Sequence, residues 1–235
     1  LAVTLIHAVP SQAAVNPCDP EPGTTRFFAG WNSSNGGEPN NYEGTSATMT
    51  YQQGALCSDA NLNNVSASWT MIAASDVKGW AQSGYWFHSG ETCWRHFAQQ
   101  VWGYPANPPY TIEGTCVNPG EQHRVWQQTV VVGAPQYWAI RSNVDVTIFI
   151  QSSWNQFGVW ANPLIAEFNG ETHHYNSDVP GSSANPTDFH GPMQVQNYAN
   201  DQFYDTCGFI SLYPAAAFRY ATDQPSCDHV RVWTK

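Results

Sequence analysis

Apolar and polar residues alternate along this chain in short runs. Almost nowhere do they recur at the spacing of an amphipathic helix. Alternating or aromatic-rich runs predict strands over Thr45–Gln52, Ser66–Ala74, Gly79–His88, Trp94–Trp102, Arg124–Val132, Tyr137–Ser142, Asp145–Ser152, Leu164–His173, Phe189–Tyr198 and His229–Thr234. Gly, Pro, Asn and Asp punctuate them, and Pro105–Pro109, Asn176–Pro186 and Ala199–Asp205 read as loops. Val144–Ile150 is β-branched and alternating and is expected to pack the sheet, whereas Leu212–Tyr220 fits either one helical turn or a last strand. Many short strands with turn signals between them predict an all-β fold, an antiparallel two-sheet β-sandwich.

A curved sandwich of this kind is expected to resemble a concanavalin-like jelly roll. With 235 residues, no internal repeat and no clear linker, one domain over 14–235 is the economical reading. Residues 1–13, an apolar run ending in small residues at Ser11 and Ala13, look like the tail of a secretory signal peptide. No later segment is long and apolar enough to span a membrane as a helix. Secretion fits the six cysteines, which form no C-x-x-C pair and so argue for disulfides over zinc. Pairing of neighbours is expected: Cys18–Cys57, Cys93–Cys116 and Cys207–Cys227. Asn32-Ser33-Ser34 and Asn64-Val65-Ser66 match the glycosylation acceptor pattern.

Charge removes one class of partner. The formal net charge is −10 and the eight Lys and Arg are scattered, so no basic groove for nucleic acid is expected. Asn, Gln, Ser, Thr and Gly supply most of the polarity. Such a surface stays soluble in acid, because its polarity does not depend on ionisation.

Two runs concentrate the chemistry. Period-two alternation puts Trp80, Gln82, Gly84 and Trp86 on one strand face, and Glu167, Asn169, Glu171 and His173 on one face of another. A lone Gln is more often a solvated polar residue, but flanking aromatics raise Gln82 as a ligand-facing group, with Gly84 leaving room for a ligand to approach. A Glu on a strand is also commonly solvated. Glu167, however, follows the apolar run Pro163-Leu164-Ile165-Ala166, and desolvation would raise its pKa toward a range where it can take and give a proton. Glu171 is the groove neighbour or second candidate. His173, His174 and His190 are the His-rich patch, but adjacent strand residues face opposite ways and no H-E-x-x-H run exists, so a metal site is the minority reading. No G-x-S-x-G elbow supports a serine triad.

These two strands resemble the glutamic peptidases of the eqolisin type. In that family a strand opening Ala-Trp-Val-Gly-Ile leads to Leu-Gln-Thr-Gly, and here Ser68-Trp69-Thr70-Met71-Ile72 leads to Ala81-Gln82-Ser83-Gly84. The family's Ala-Glu-Trp before an acidic stretch is matched by Ala166-Glu167-Phe168-Asn169-Gly170-Glu171, and its Asp-Phe-Gly strand start by Asp188-Phe189-His190-Gly191. More distantly, the Glu-Trp-Gly-Gly-Glu-Val of neprosin-like chains is similar to Glu167–Thr172, with a Glu where Gln82 stands. The family's groove strand Tyr-Glu-Trp-Tyr-Pro has its counterpart in Ala98-Gln99-Gln100-Val101-Trp102, without the acid.

The resemblance implies a secreted acid endopeptidase. Glu167 would be the general base and Gln82 the water-holding and oxyanion-stabilising amide, with Trp69, Trp80, Trp86 and Glu171 binding a polypeptide substrate. It implies no cofactor and no metal. A monomer is expected, without a nucleic-acid partner on the charge argument above and without a membrane partner. The second reading is a non-catalytic carbohydrate- or surface-binding β-sandwich, since eleven Trp with many Asn and Gln suit sugar recognition. Geometry discriminates the two: the Gln82 amide and the Glu167 carboxyl should meet within one water's reach at the floor of a groove.

Overall fold

Strand-forming residues and turn signals lead to two sheets. The computed structural model describes residues 26–32, 42–57, 64–74, 79–102, 106, 108–132, 137–145, 148–153, 164–173, 177–197, 202–206, 211–212 and 219–235. The predicted signal segment, Cys18, Cys207, His174 and most of 212–220 lie outside the described residues. One sheet contains β1 (Phe27–Asn32), β3 (Val65–Ala74), β4 (Gly79–His88), β5 (Arg95–Trp102), β6 (Tyr110–Cys116), β10 (Leu164–Thr172) and β13 (Ser211–Leu212). Their order across the sheet is β13-β1-β10-β3-β4-β5-β6. The second contains β2 (Tyr42–Thr50), β7 (Gln122–Val132), β8 (Tyr137–Val144), β9 (Ile148–Ser153), β11 (Thr187–Asn197), β14 (Tyr220–Ser226) and β15 (His229–Thr234), with β12 (Gln202–Asp205) paired to β11. Its order is β14-β15-β11-β2-β7-β8-β9. All pairings between these strands are antiparallel, and the fold is the expected two-sheet β-sandwich.

Alternation divides each strand between the sandwich interior and an outer face. Inward residues build one large core that includes Trp31, Met49, Tyr51, Tyr85, Val125, Phe168, Phe189, Val230 and Val232. Trp31 meets Phe168 edge-on at 5.6 Å, and Phe168 meets Phe189 at 6.0 Å. A polar seam interrupts this core. The Gln127 side chain is fully buried, and its Oε1 accepts from Thr45 Oγ1 and, at 2.7 Å, from Thr70 Oγ1. Its Nε2 donates to Ser83 Oγ, which donates on to the Asn143 carbonyl at 2.8 Å. One amide thus joins β2, β3, β4 and β7. Buried polar groups cost little when every partner is present and much when one is missing.

Four sequence expectations are corrected. Val144–Ile150 is not one strand: Asp145 turns the chain at φ 48° and its carboxylate accepts from the Arg124 amide at 2.7 Å, which splits the run into β8 and β9. Ala199–Asp205, expected as loop, holds β12. Gly84 does not admit a ligand: a Cβ there would come within 2.0 Å of the Ser68 carbonyl, so its lack of a side chain serves the close approach of β4 to β3. The asparagines of both glycosylation patterns are buried, and their amides are committed. Asn32 Nδ2 donates to Glu167 Oε1 at 2.7 Å, and Asn64 Nδ2 donates to Ser177 Oγ at 2.9 Å.

The Cys93–Cys116 disulfide forms as expected, tying the start of β5 to the end of β6. Cys57 and Cys227 are disulfide-bonded too.

Replacing Gln127 by Leu keeps the volume but leaves the Thr45 and Thr70 hydroxyls without their acceptor and Ser83 without a donor. Urea unfolding is expected to show a loss of about 3 kcal/mol. A loss under ~1 kcal/mol would mean that the seam contributes little.

Candidate active site

The face of the first sheet turned away from the core carries the candidate chemistry. Register fixes the rows. Asn32, Glu167, Met71, Gln82, Gln99 and Thr111 lie opposite one another across six strands. Further along the strands, Glu171 lies opposite Ala67 and Ala67 opposite Trp86. Trp69 occupies the row between, opposite Asn169 and Gly84. All six residues singled out in the sequence therefore share one face of one sheet, as alternation requires.

A cleft of about 190 Å³ opens on this face. Trp69, Trp80, Gln82, Trp86 and Glu171 line it, with Arg26, His88, Phe97, Gln99, Pro109 and His173. Glu167 does not. It stands on the far side of Met71, two strand spacings from Gln82, roughly 9–10 Å between backbones. The two side chains also face separate partners. Glu167 accepts from Asn32 Nδ2 and from Asn169 Nδ2, both at 2.7 Å. Gln82 donates from Nε2 to Gln99 Oε1 at 2.9 Å. β3 lies between their strands, with Met71 in the row between them, and no hydrogen bond joins Gln82 to Glu167 among the described residues.

The aromatics are not exposed platforms. Trp80 and Trp86 are each only 9% exposed, and Trp69 1%. Trp86 stacks on Phe97 at 4.2 Å with planes 5° apart, and Phe28 meets Trp69 edge-on at 6.1 Å. Trp69 instead contributes its indole N–H, donating to Glu171 Oε2 at 2.8 Å. The other Glu171 oxygen accepts from His173 Nε2 at 3.1 Å and lies 3.7 Å from the Arg26 guanidinium.

These surroundings drive the two carboxyls apart. Burial pushes Glu167 up to about 8; the charge of Glu171 adds to the rise, and the Asn169 amide offsets only part of it. Burial alone would raise Glu171 as well, but the hydrogen bond and charge of His173, then Arg26 and the Trp69 indole, hold it below the usual carboxylate range. One strand thus presents a neutral acid and, four residues on, an ionised carboxylate. Pairs of titratable groups separated in this way are a signature of acid–base sites.

The expected histidine patch is divided. His173 belongs to the cleft, whereas His190 is on the other sheet, 3.1 Å from Thr50 Oγ1. Among the described residues no three His, Cys, Asp or Glu side chains converge as metal ligands. Sequence reasoning did not find Asn32, which holds Glu167, or Thr111, which holds Gln99. Both reach the site by long-range pairing, and only the sequence of β1 and β6 could have hinted at it.

Comparison with solved structures finds the same fold in scytalido-glutamic peptidase, solved with a transition state analog inhibitor. The match has a TM-score of 0.57 and 8% identity, covering 89% of this chain and 98% of that one. At that identity the likeness is one of fold. The kappa-carrageenase from Pseudoalteromonas carrageenovora, solved with an oligosaccharide, aligns at TM-score 0.29 and 11% identity over 83% of this chain and 65% of its own, too weakly to carry an argument. No family model matches the chain, and no curated protein matches it by sequence.

The Glu167 proton gives a test of the site's electrostatics. A carboxyl whose pKa is raised on folding keeps in the native state a proton that the unfolded chain loses, so it costs stability as pH rises from about 4.5 to about 8. Wild type is expected to lose stability across this window more steeply than Glu167→Gln in parallel urea titrations. Parallel curves would mean that Glu167 titrates normally.

Proposed function

We propose that this protein is a secreted endopeptidase of the glutamic type, with Gln82 and Glu167 as its working pair. The observation that carries the reading is one row, Glu167–Met71–Gln82, which sets a carboxyl and an orientation-fixed, cleft-lining amide on one sheet face. Glu171, further along β10, lines the cleft with Trp69 and is offered to the flanking part of an extended peptide. The ionised Glu167 draws a proton from a water as its oxygen attacks the peptide carbonyl, then returns that proton to the leaving nitrogen. One Gln82 N–H is spent on Gln99, which leaves its second N–H for the oxyanion and its carbonyl oxygen to hold the water.

The resemblance by motif assigned the base to Glu167 and a neighbouring role to Glu171. The register supports that assignment, because Glu171 lies two strands and four residues away from Gln82, roughly 16 Å between backbones, too far for both to serve one water. With its pKa raised to about 8, Glu167 ionises as pH rises and can both take and give a proton near neutrality. The shared fold with a glutamic peptidase and the Cys93–Cys116 disulfide, which suits an oxidising compartment, support the secreted peptidase reading. Glycan binding is the alternative. It asks for open aromatic faces, and Trp86 has one face covered by Phe97.

The test is digestion of denatured casein from about pH 2 to 9 by wild type and three variants. Glu167→Gln is expected to lower kcat/KM roughly 100- to 10,000-fold, and Gln82→Ala roughly 100-fold or more, mostly in kcat. Glu171→Gln is expected to retain cleavage with a raised KM. The wild-type acid limb should lie above the ordinary Glu pKa of 4.5. Retention of activity in Glu167→Gln with loss in Glu171→Gln would move the base to Glu171. No cleavage by wild type, together with retention on a glycan array, would replace the peptidase with a binding module.

A further inference from the structure

The Gln82 amide can serve water and oxyanion only if it points one way, and a glutamine amide has two ways to point. The structure carries a device that removes the choice. Gln99 lies directly opposite Gln82 on β5 and is only partly buried beside the cleft. Its Oε1 accepts from Gln82 Nε2 at 2.9 Å and from Trp80 Nε1 at 3.1 Å. Its Nε2 donates to Thr111 Oγ1 on β6 at 3.0 Å.

The polarity of this relay follows from its one unambiguous member. An indole nitrogen can only donate. The Gln99 atom facing Trp80 must therefore be the oxygen, its nitrogen must face Thr111, and the Gln82 atom facing the shared oxygen must be nitrogen. A flip of Gln82 would set two carbonyl oxygens against each other. A flip of Gln99 would set its NH2 against two donors. The Gln82 carbonyl oxygen is thus left without a hydrogen bond from the described residues, available to the cleft.

We propose that Gln99 is a positioning residue that, with Trp80 as the fixed donor and Thr111 as anchor, sets the direction of the Gln82 amide. The proposal rests on the peptidase reading for its kinetic consequence, but the hydrogen-bond relay stands without it. Because an amide does not titrate, Gln82 keeps one orientation through the acid range.

Two variants separate positioning from mere packing. Gln99→Leu removes the acceptor at nearly constant volume, and Gln99→Glu retains an oxygen for both donors while the Thr111 hydroxyl turns to donate. The first readout is independent of activity: side-chain amide and indole N–H resonances in 15N-labelled protein, assigned with Gln82→Ala and Trp80→Phe. In wild type and Gln99→Glu, Gln82 should give two well-separated amide protons; in Gln99→Leu these should converge and the Trp80 indole proton should move upfield. The second readout is casein cleavage. Gln99→Leu is expected to lower kcat roughly 10- to 100-fold with KM within about threefold, and Gln99→Glu to recover most of it. Unchanged Gln82 and Trp80 resonances in Gln99→Leu would overturn the proposal, as would equal loss in both variants or a loss confined to KM. A wild-type protein without activity refutes the peptidase reading, and the resonances then decide the relay alone.

Discussion

The hydrogen bonds of Gln127 are the constraint on which the arrangement of this molecule turns. A sandwich of two sheets joined only by apolar contact can slide, because apolar contact has no direction. Gln127 has direction. Its amide needs the Thr45 and Thr70 hydroxyls on one end and Ser83 on the other, and these come from both sheets. Thr70 is flanked in sequence by Trp69 and Met71, and Ser83 by Gln82 and Gly84. The residues that build the cleft are the other half of an alternation whose inward half is pinned. A shift of β3 or β4 by one residue would turn Thr70 and Ser83 outward and Gln82 inward, and would break both sides together.

On the outer side, the decisive feature is the treatment of charge along β10. Glu167 and Glu171 share a strand face, and two ionised carboxylates there would repel. The structure avoids this with unequal surroundings. Asn32 and Asn169 give Glu167 uncharged donors, whereas Glu171 receives a histidine, an indole and a nearby guanidinium. The neutral member is held by Asn32 of the adjacent β1, and the charged member lines the cleft. Desolvation and charge compensation, applied four residues apart, separate two identical side chains into two chemical species.

Much of this was legible in the sequence. Gly79–His88 and His229–Thr234 were delimited as the structure has them, because each has an aromatic or β-branched alternation bounded by turn residues. The same alternation put Trp80, Gln82 and Trp86 on one face, and Glu167 with Glu171 on another face of what became the same sheet. Other elements were illegible for physical reasons. β6, Tyr-Thr-Ile-Glu-Gly-Thr-Cys, is largely exposed, lies at a sheet edge and has no buried face to impose a period. β14 carries Asp223 and Pro225, which suit an edge strand but read locally as a turn. β1 is short, and its value to the site is Asn32, set by pairing with β10 across 135 positions of chain. No local pattern encodes the neighbour of a strand. Which Glu faced the cleft depended on that pairing, since alternation assigns both to the same face and leaves their environments open.

The commitment of Asn32 and Asn64 to internal partners bears on how the chain should be produced. Both stand in acceptor sequences that an oligosaccharyltransferase reads on the nascent, unfolded polypeptide. Asn32 emerges long before β10, which later claims its amide, so in a eukaryotic secretory pathway the sugar and Glu167 compete for the same nitrogen, and the sugar arrives first. A chain carrying a glycan there cannot seat β1 against Glu167. Expression yield would then track the host's glycosylation machinery more than the stability of the fold, and a bacterial periplasm, oxidising but without that machinery, is the compartment in which this sequence meets neither obstacle.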